Sequence, residues 1–230
     1  MSDVLKKIKE AFNDLEKRVF VSEADFQHSF AMVLEEKFPG NVRLEYPIKK
    51  PDTVKTTKGD HIYADILIKD NGKKYIIELK YKTQSIKHAP SIDDDSKLAC
   101  ALLKDHSAYD FGAYDFWADI NRTECLIEKN ECEAGVCIFL TNAPNYKKAH
   151  ENTIYSNFSI EGGTHERGEK KWKSTNRCSE QRIAEIQKTR PDLDIKNTYD
   201  FEWRDFLMVS NVSGEKFQCL YLEIPPKYKD

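Results

Sequence analysis

The segment IYADILIKDNGKKYIIELKYK, residues 62–82, decides the fold of this chain. It contains two runs rich in β-branched and aromatic residues, 62–69 and 73–82, on either side of an Asn-Gly dipeptide. Asn-Gly is preferred in two-residue hairpin loops because both positions of a type I′ turn need a positive φ. The segment therefore predicts an antiparallel β-hairpin.

The two-residue loop also fixes which residues of the hairpin face each other. Ile66 is expected opposite Ile77, and Asp65 opposite Glu78. Because side chains alternate along a strand, Lys80 falls on the same face as Glu78, while the other face is apolar and is expected to be core. One hairpin thus places two carboxylates and an ammonium group together.

The predicted pair of carboxylates is unfavourable without a counter-charge. Two like charges about 5 Å apart repel by about 3 kcal/mol at an effective dielectric of about 20. Protonation of one acid, the Lys80 ammonium, or a divalent cation would relieve this repulsion. Mg²⁺ prefers carboxylate oxygens, neutralises charge that develops on a phosphate and acidifies bound water. The pattern is interpreted as a metal site with Asp65 and Glu78 as ligands, and Lys80 as a compact charge that holds a phosphate or the attacking water.

The rest of the chain alternates between helical and strand patterns. Helices are predicted over residues 3–18, from an N-cap at Ser22 to Pro39-Gly40, and over 97–103, 113–129 and 179–189; further strands are predicted over 43–48, 135–141, 201–209 and 216–224. This order predicts one α/β domain over residues 1–230, with a central mixed β-sheet flanked by helices. Residues 146–230 add strands and a helix that extend the sheet or pack beside it.

Asp65, followed after twelve residues by Glu78-Leu79-Lys80, resembles the core motif of the PD-(D/E)xK nuclease superfamily. The segments 22–27, 116–122 and 137–142 look like the first helix and the later helix and strand of uncharacterised bacterial members. The resemblance implies a restriction-endonuclease-like core over about 20–145 and a catalytic set of Asp65, Glu78, Lys80, Glu23 and Gln27, with Mg²⁺ or Mn²⁺ as cofactor. Ala64 stands where the motif has its proline.

Two weaker candidates accompany the hairpin. Arg167, Lys170, Lys171 and Lys173 surround Trp172, and basic residues around an aromatic ring suit contact with a nucleic-acid backbone and stacking of a base. The alternative is a solvated loop with a partly buried Trp172. Glu45 lies close in sequence to the core strands and is a further candidate for the site.

Composition limits the partners and the compartment. The chain has 36 basic and 39 acidic side chains and a formal net charge of −3, so a nucleic acid would have to be held by a local surface. The six cysteines form no CxxC pair and are expected to be reduced thiols. No apolar run approaches the roughly 20 residues of a spanning helix, and we expect a cytoplasmic protein without a membrane partner.

Three functional hypotheses remain open from the sequence. The first is a nuclease dependent on Mg²⁺ or Mn²⁺ that hydrolyses phosphodiester bonds, with DNA favoured over RNA and a homodimer possible. The second is a catalytically silent module on the same fold that binds nucleic acid or protein. The third is an accessory protein of a defence or mobile-element system that is active only with a partner.

Overall fold

The computed structural model describes residues 3–54, 59–86, 93–106, 108–209 and 216–226. The α-helices in these ranges are α1 (Asp3–Asp14), α2 (Glu23–Lys37), α3 (Asp94–Leu102), α4 (Tyr109–Glu128) and α5 (Glu180–Gln187). The strands are β1 (Val42–Lys49), β2 (His61–Asp70), β3 (Lys73–Lys82), β4 (Ala134–Thr141), β5 (Gly163–His165), β6 (Gly168–Lys170), β7 (Leu193–Ile195), β8 (Tyr199–Phe201), β9 (Trp203–Met208) and β10 (Lys216–Ile224).

Six of the strands form one central mixed sheet, in the order β1-β2-β3-β4-β10-β9. Strands β3 and β4 are parallel, whereas the other neighbours are antiparallel. All eight residues of β4 are buried, as expected for a strand covered on both faces. The chain is thus an α/β protein, and the two late strands extend the sheet rather than pack beside it.

Helices cover both faces of the sheet, and each face has its own hydrophobic core. On one side, buried residues of α1, α2 and α3 pack against Ile66, Ile68, Tyr75, Ile77 and Leu79. On the other side, α4 and α5 pack against Leu67, Ile76 and residues of β4. Strand β3 therefore contributes side chains to both cores, and Glu78 of this strand is buried against α4.

The β2–β3 hairpin has the predicted turn and register. Asn71 and Gly72 form the loop with φ values of 47° and 76°. Ile66 pairs with Ile77, and the ladder continues to the turn without a shift. Asp65 and Glu78 lie just beyond the last pair of this ladder, which ends at Ile66 and Ile77.

Several element boundaries differ from the sequence prediction. Helix α1 ends at Asp14 and not at residue 18, and α4 begins at Tyr109, before the predicted residue 113. Strands β5 and β6 lie in the segment 161–173, which the sequence pattern did not assign to strands. Strands of three residues are too short to show an alternating pattern, and these two pair with β8 and β7, which are distant in sequence.

The C-terminal third is fastened to α4 by a buried carboxylate. Glu124 accepts hydrogen bonds from the backbone N–H groups of Lys196 and Asn197, from the Asn197 amide at 2.8 Å and from the Tyr199 hydroxyl at 2.9 Å. Burial raises the pKa of Glu124, and these donors oppose that shift. A single side chain of α4 thereby fixes the chain between β7 and β8.

Two expectations about the whole chain, reduced cysteines and no membrane-spanning helix, can be compared with the structure. The six cysteines, which all lie within the described ranges, form no disulfide, and five of them are buried. Within the described ranges, none of the helices combines the length and the apolar character needed to cross a bilayer.

Replacing Glu124 tests how strongly the C-terminal third depends on this contact. We expect Glu124→Ala to lower the free energy of unfolding by about 2–4 kcal/mol, because two backbone N–H groups and a hydroxyl lose their acceptor. Urea unfolding followed by circular dichroism measures the loss. The exposed Glu128→Ala on the same helix is the matched control, with an expected change within about 0.5 kcal/mol. Equal unfolding midpoints for the two variants would contradict the assignment.

Candidate active site

Strand β2 separates from β3 at Asp65. The Asp65 carboxylate accepts a hydrogen bond from the backbone N–H of Leu79, with Oδ2 and N 2.6 Å apart. On the other side of β2, the β1–β2 ladder pairs Leu44 with Ile66 and Tyr46 with Ala64, but not the residues between them. Glu45, in that gap, has a φ of 47°. At this irregularity the Asp65 carboxylate accepts the Leu79 N–H, which in a regular hairpin would be bonded to a backbone carbonyl.

The first turns of α2 bring two more predicted residues to this point. Ser22 caps the helix by accepting the N–H of Asp25 at 3.1 Å. Glu23 is the first helical residue, and its Oε2 accepts the N–H of Tyr81 at 2.7 Å. One turn later, the amide of the buried Gln27 donates to the carbonyl oxygen of Asp65 at 2.6 Å.

Gln27 also connects Glu45 to the site. Its Nε2 lies 2.8 Å from Oε1 of Glu45, in addition to its bond to the Asp65 carbonyl. Because Gln27 donates to both strands, it holds β1 and β2 at the irregular position. Its observed role is to fix the backbone at Asp65.

Glu78 lies on the face of β3 that is turned towards α4. Its side chain is 1% exposed, and both of its oxygens contact the Arg122 guanidinium. Nη2 of Arg122 is 2.7 Å from Oε2, and Nε is 3.3 Å from Oε1. The buried carboxylate therefore has an arginine as its direct counter-ion.

Arg122 links this carboxylate to the lysine of the motif through Asp119. The Arg122 Nη2 lies 2.7 Å from Oδ1 of Asp119, and the Lys80 ammonium lies 2.8 Å from Oδ2. Asp119 is 4% exposed and Lys80 is 15% exposed. The order of contacts is Glu78, Arg122, Asp119, Lys80, so charges of alternating sign follow one another.

The sequence did not identify Asp119 and Arg122 as site residues. The sequence predicts them only as members of a helical segment, 116–122. The available signal was their spacing of three residues within a helix whose residues are otherwise mostly buried, since charges on a buried face need partners. Only the packing of α4 against β3 shows what those partners are.

The pKa values in the cluster reflect two conditions: carboxylates outnumber cations, and the side chains are largely buried. Burial raises the pKa of Asp65 to about 6, although the Lys80 ammonium opposes the shift. Burial likewise raises the pKa of Glu78, against the influence of Arg122. Desolvation would lower the pKa of Lys80, but Asp119 and the other nearby carboxylates outweigh it and raise that pKa.

A cavity of about 390 Å³ opens above these side chains. Its lining includes Glu23, Lys80, Asp119 and Arg122 of the cluster, and Arg190 from the segment after α5. Glu78 lies beneath this lining, because its side chain is almost fully buried. A ligand in the cavity would therefore meet Lys80, Arg122 and the carboxylates of Glu23 and Asp119 before it reached Glu78.

The donor chemistry of the cluster suits a hard divalent cation, but its present arrangement is not a metal cage. Four carboxylates, those of Glu23, Asp65, Glu78 and Asp119, meet two cations, so two negative charges remain when all groups are ionised. That excess and the oxygen donors fit Mg²⁺. Within the part of the chain that the structure describes, however, no group of three or more His, Cys, Asp or Glu side chains is arranged to hold a metal ion.

The structure corrects the expectation for the basic segment around Trp172. Trp172 is 5% exposed, packs against Tyr114 and Phe158, and donates its indole N–H to the carbonyl of Arg190. Its ring therefore has no free face for stacking a base, since other aromatic rings cover it.

The basic residues of that segment are also not arranged as one surface. Lys170 is buried with its ammonium 3.8 Å from the centroid of the Trp117 ring, and Lys171 forms an ion pair with Glu169. Arg167 and Lys173 are exposed. A partly buried tryptophan was the alternative reading of this segment, and burial of Trp172 agrees with it.

Comparisons with known proteins do not assign this chain to a family. No family model and no curated protein matches it. Among solved structures, a protein described as "Crystal structure of SSO0001" has 17% sequence identity, with 60% of this chain and 70% of that chain covered. Its TM-score of 0.19 is too low to support any statement about fold or function.

The contact between Arg122 and Glu78 can be tested by removing the guanidinium. We expect Arg122→Met to lower the free energy of unfolding by about 3–5 kcal/mol, because the buried Glu78 loses its counter-ion and the buried Asp119 keeps only Lys80. Adding Glu78→Gln to this variant should recover part of the loss, since one uncompensated charge disappears. Urea unfolding at neutral pH measures both.

The exposed Arg182→Met on α5 serves as the control for loss of an arginine, with little expected change. The assignment fails if Arg122→Met unfolds at the same urea concentration as the unmodified protein, or if Glu78→Gln gives no recovery.

Proposed function

We propose that this protein is a divalent-metal-dependent nuclease that hydrolyses phosphodiester bonds of DNA, built on a restriction-endonuclease-like core. The observation that carries the proposal is that Lys80 and Glu23 of α2 line one open cavity, with Asp65 and the buried Glu78 of the motif beside them. These residues come from two strands and a helix, and they are the residues that the motif and its preceding helix supply.

The architecture around the hairpin supports the proposal. The motif strands β2 and β3 lie inside the sheet, β4 runs parallel to β3, and α2 and α4 cover opposite faces. Helix, strand, hairpin, helix and strand follow in the order that the resemblance implies. Glu78 and Asp119, with Lys80 and Arg122, are present at this point in addition to the two carboxylates that accept the backbone N–H groups of Leu79 and Tyr81.

In this proposal Asp65 and Glu78 hold Mg²⁺ or Mn²⁺. When bound, the cation neutralises charge on the scissile phosphate and acidifies a water molecule. Lys80 lies in the lining of the cavity, and Asp119 keeps its ammonium charged and fixed, so it can orient the phosphate or the water. Glu23 adds a carboxylate at the rim, and Gln27 positions Asp65 through its backbone carbonyl.

For Glu78 to serve as a ligand, Arg122 must release at least one of its oxygens. Asp119 makes this release less costly because it holds the same Nη2 group at 2.7 Å. Arg122 can therefore leave Glu78 and keep an ionic partner. The guanidinium also lines the cavity, where a phosphate is a suitable second partner.

A specific observation favours a second function. The Arg122 guanidinium already neutralises Glu78 at two points, which is the place a metal ion would take. A chain that had lost turnover could use the same cavity and its cations to bind a nucleic acid or an acidic protein. Binding without hydrolysis is therefore the alternative proposal.

Cleavage by point variants tests the roles of the motif residues. We expect Asp65→Asn to reduce Mg²⁺-dependent cleavage of labelled DNA to background, and Lys80→Ala to lower it by about 10²–10³-fold, since one preorganised charge is lost. Lys74→Ala, on the same strand and face but at the surface, is the control and should cut normally. Circular dichroism melts establish that each variant is folded.

Metal titration separates the two proposed functions. We expect calorimetry to show Mg²⁺ or Mn²⁺ binding at millimolar concentration, and Asp65→Asn to abolish it. If the unmodified protein binds neither cation and cuts no DNA, the nuclease proposal is rejected in favour of the catalytically silent binding module. Normal cleavage by both Asp65→Asn and Lys80→Ala would show that the residue roles are wrong.

A further inference from the structure

A second cavity adjoins the one above the candidate active site. It has a volume of about 300 Å³ and is lined in part by Ser22, Thr83, Lys104 and His106. Glu23 and Lys82 line both cavities, so the two meet at the rim of the carboxylate cluster. We refer to the two cavities together as the strand groove.

Cations outnumber carboxylates along the walls of the strand groove. Five cationic side chains line it: Lys80, Lys82, Lys104, Arg122 and Arg190. Three carboxylates do so: Glu23, Asp115 and Asp119. With Asp65 and Glu78 beneath the lining, the cluster itself stays acidic, and the positive charge that an anionic polymer needs is supplied outside the cluster by Lys82, Lys104 and Arg190.

Two of these cations are placed at opposite parts of the groove. Arg190 lines only the first cavity and Lys104 only the second, with Lys82 where the cavities meet. The Arg190 Nε lies 3.3 Å from Oδ1 of Asp115, and its guanidinium carbon lies 4.1 Å from the Phe111 ring centroid. These contacts fix the plane of the guanidinium, and neither of them commits its terminal amino groups.

The depth of the cluster restricts what can reach it. Exposure of the side chains falls from 15% for Lys80 to 4% for Asp119 and 1% for Glu78. A reacting phosphate must therefore enter the cavity rather than pass over its mouth. A DNA duplex is stiff over about 150 base pairs and its phosphates are held at its surface, whereas a single strand bends freely into a charged groove.

We propose that the substrate of this protein is single-stranded DNA, which lies along the strand groove with backbone phosphates on Arg190, Lys82 and Lys104. The proposal rests on the proposed nuclease function and adds the substrate class and three binding residues. Arg190 belongs to the C-terminal third, so this region supplies one wall of the substrate site.

Binding of a fluorescein-labelled dT12 oligonucleotide, measured by anisotropy in EDTA, tests the groove without any cleavage. We expect Arg190→Gln and Lys104→Gln each to weaken binding by about 3- to 10-fold. Each variant should also reduce the slope of log K against log salt by about 0.7, because one phosphate contact is lost. Lys188→Gln is the matched control, since Lys188 is exposed, pairs with Glu185 and lies outside the groove lining.

The same measurement with a dT12·dA12 duplex tests the strand preference, and we expect binding at least about tenfold weaker than that of the strand. Duplex binding as tight as strand binding overturns the proposal, as does tighter binding of a U12 oligonucleotide. The proposal is also overturned if Arg190→Gln and Lys104→Gln both bind the single strand as tightly as Lys188→Gln does. Lys104 is exposed, so Lys104→Gln stays informative even if Arg190→Gln shows a lowered melting temperature.

The outcomes distinguish this inference from the proposed function. If binding of the single strand depends on Arg190 and Lys104 but the protein cuts no DNA, the strand groove is supported as a binding site and the nuclease proposal is rejected. Metal-dependent cleavage of duplex DNA in preference to single strands would support the nuclease and overturn the groove as proposed.

Discussion

The separation of β2 from β3 after the pair Ile66–Ile77 is the constraint on which the candidate site depends. Beyond this pair, the N–H groups of Leu79 and Tyr81 take side-chain carboxylates as acceptors. A buried N–H without a partner costs about 1–3 kcal/mol, so the acids are needed for the fold as well as for any chemistry. Because one acceptor belongs to β2 and the other to α2, the same two bonds gather carboxylates from separate elements beside the motif lysine.

The acids gathered in this way need cations, and α4 provides one of them. Arg122 meets Glu78 and Asp119 together, while Asp119 returns a negative charge to Lys80. A buried ion pair of this kind gives little net stability, but it is costly to break from one side. The cluster is therefore a structural joint between β3 and α4, and in the proposed nuclease it is also the set of charges that a phosphate or a metal ion would rearrange.

The C-terminal third contributes to the site through its attachment to α4. Glu124 fixes the chain near Asn197, and Trp172 is packed into the core on the same side of the sheet. Arg190 donates to Asp115 of α4, which lines the same cavity. The C-terminal third has no recognisable motif. It lines the cavity because it packs against α4, which brings Arg190 to within 3.3 Å of Asp115.

The sequence by itself determined the hairpin, its register and the alternation of helices with strands, because an Asn-Gly turn and side-chain periodicity are local properties. It also placed Asp65, Glu78 and Lys80 together on two neighbouring strands, whereas Glu23 and Gln27 were expected at the site only through the family resemblance. Tertiary structure decided which charges neutralise which: the Arg122 contacts, the burial of Trp172 and the position of Arg190 all join residues far apart in the chain. Such contacts depend on how helices pack on the sheet, and residue spacing along one element does not encode that packing.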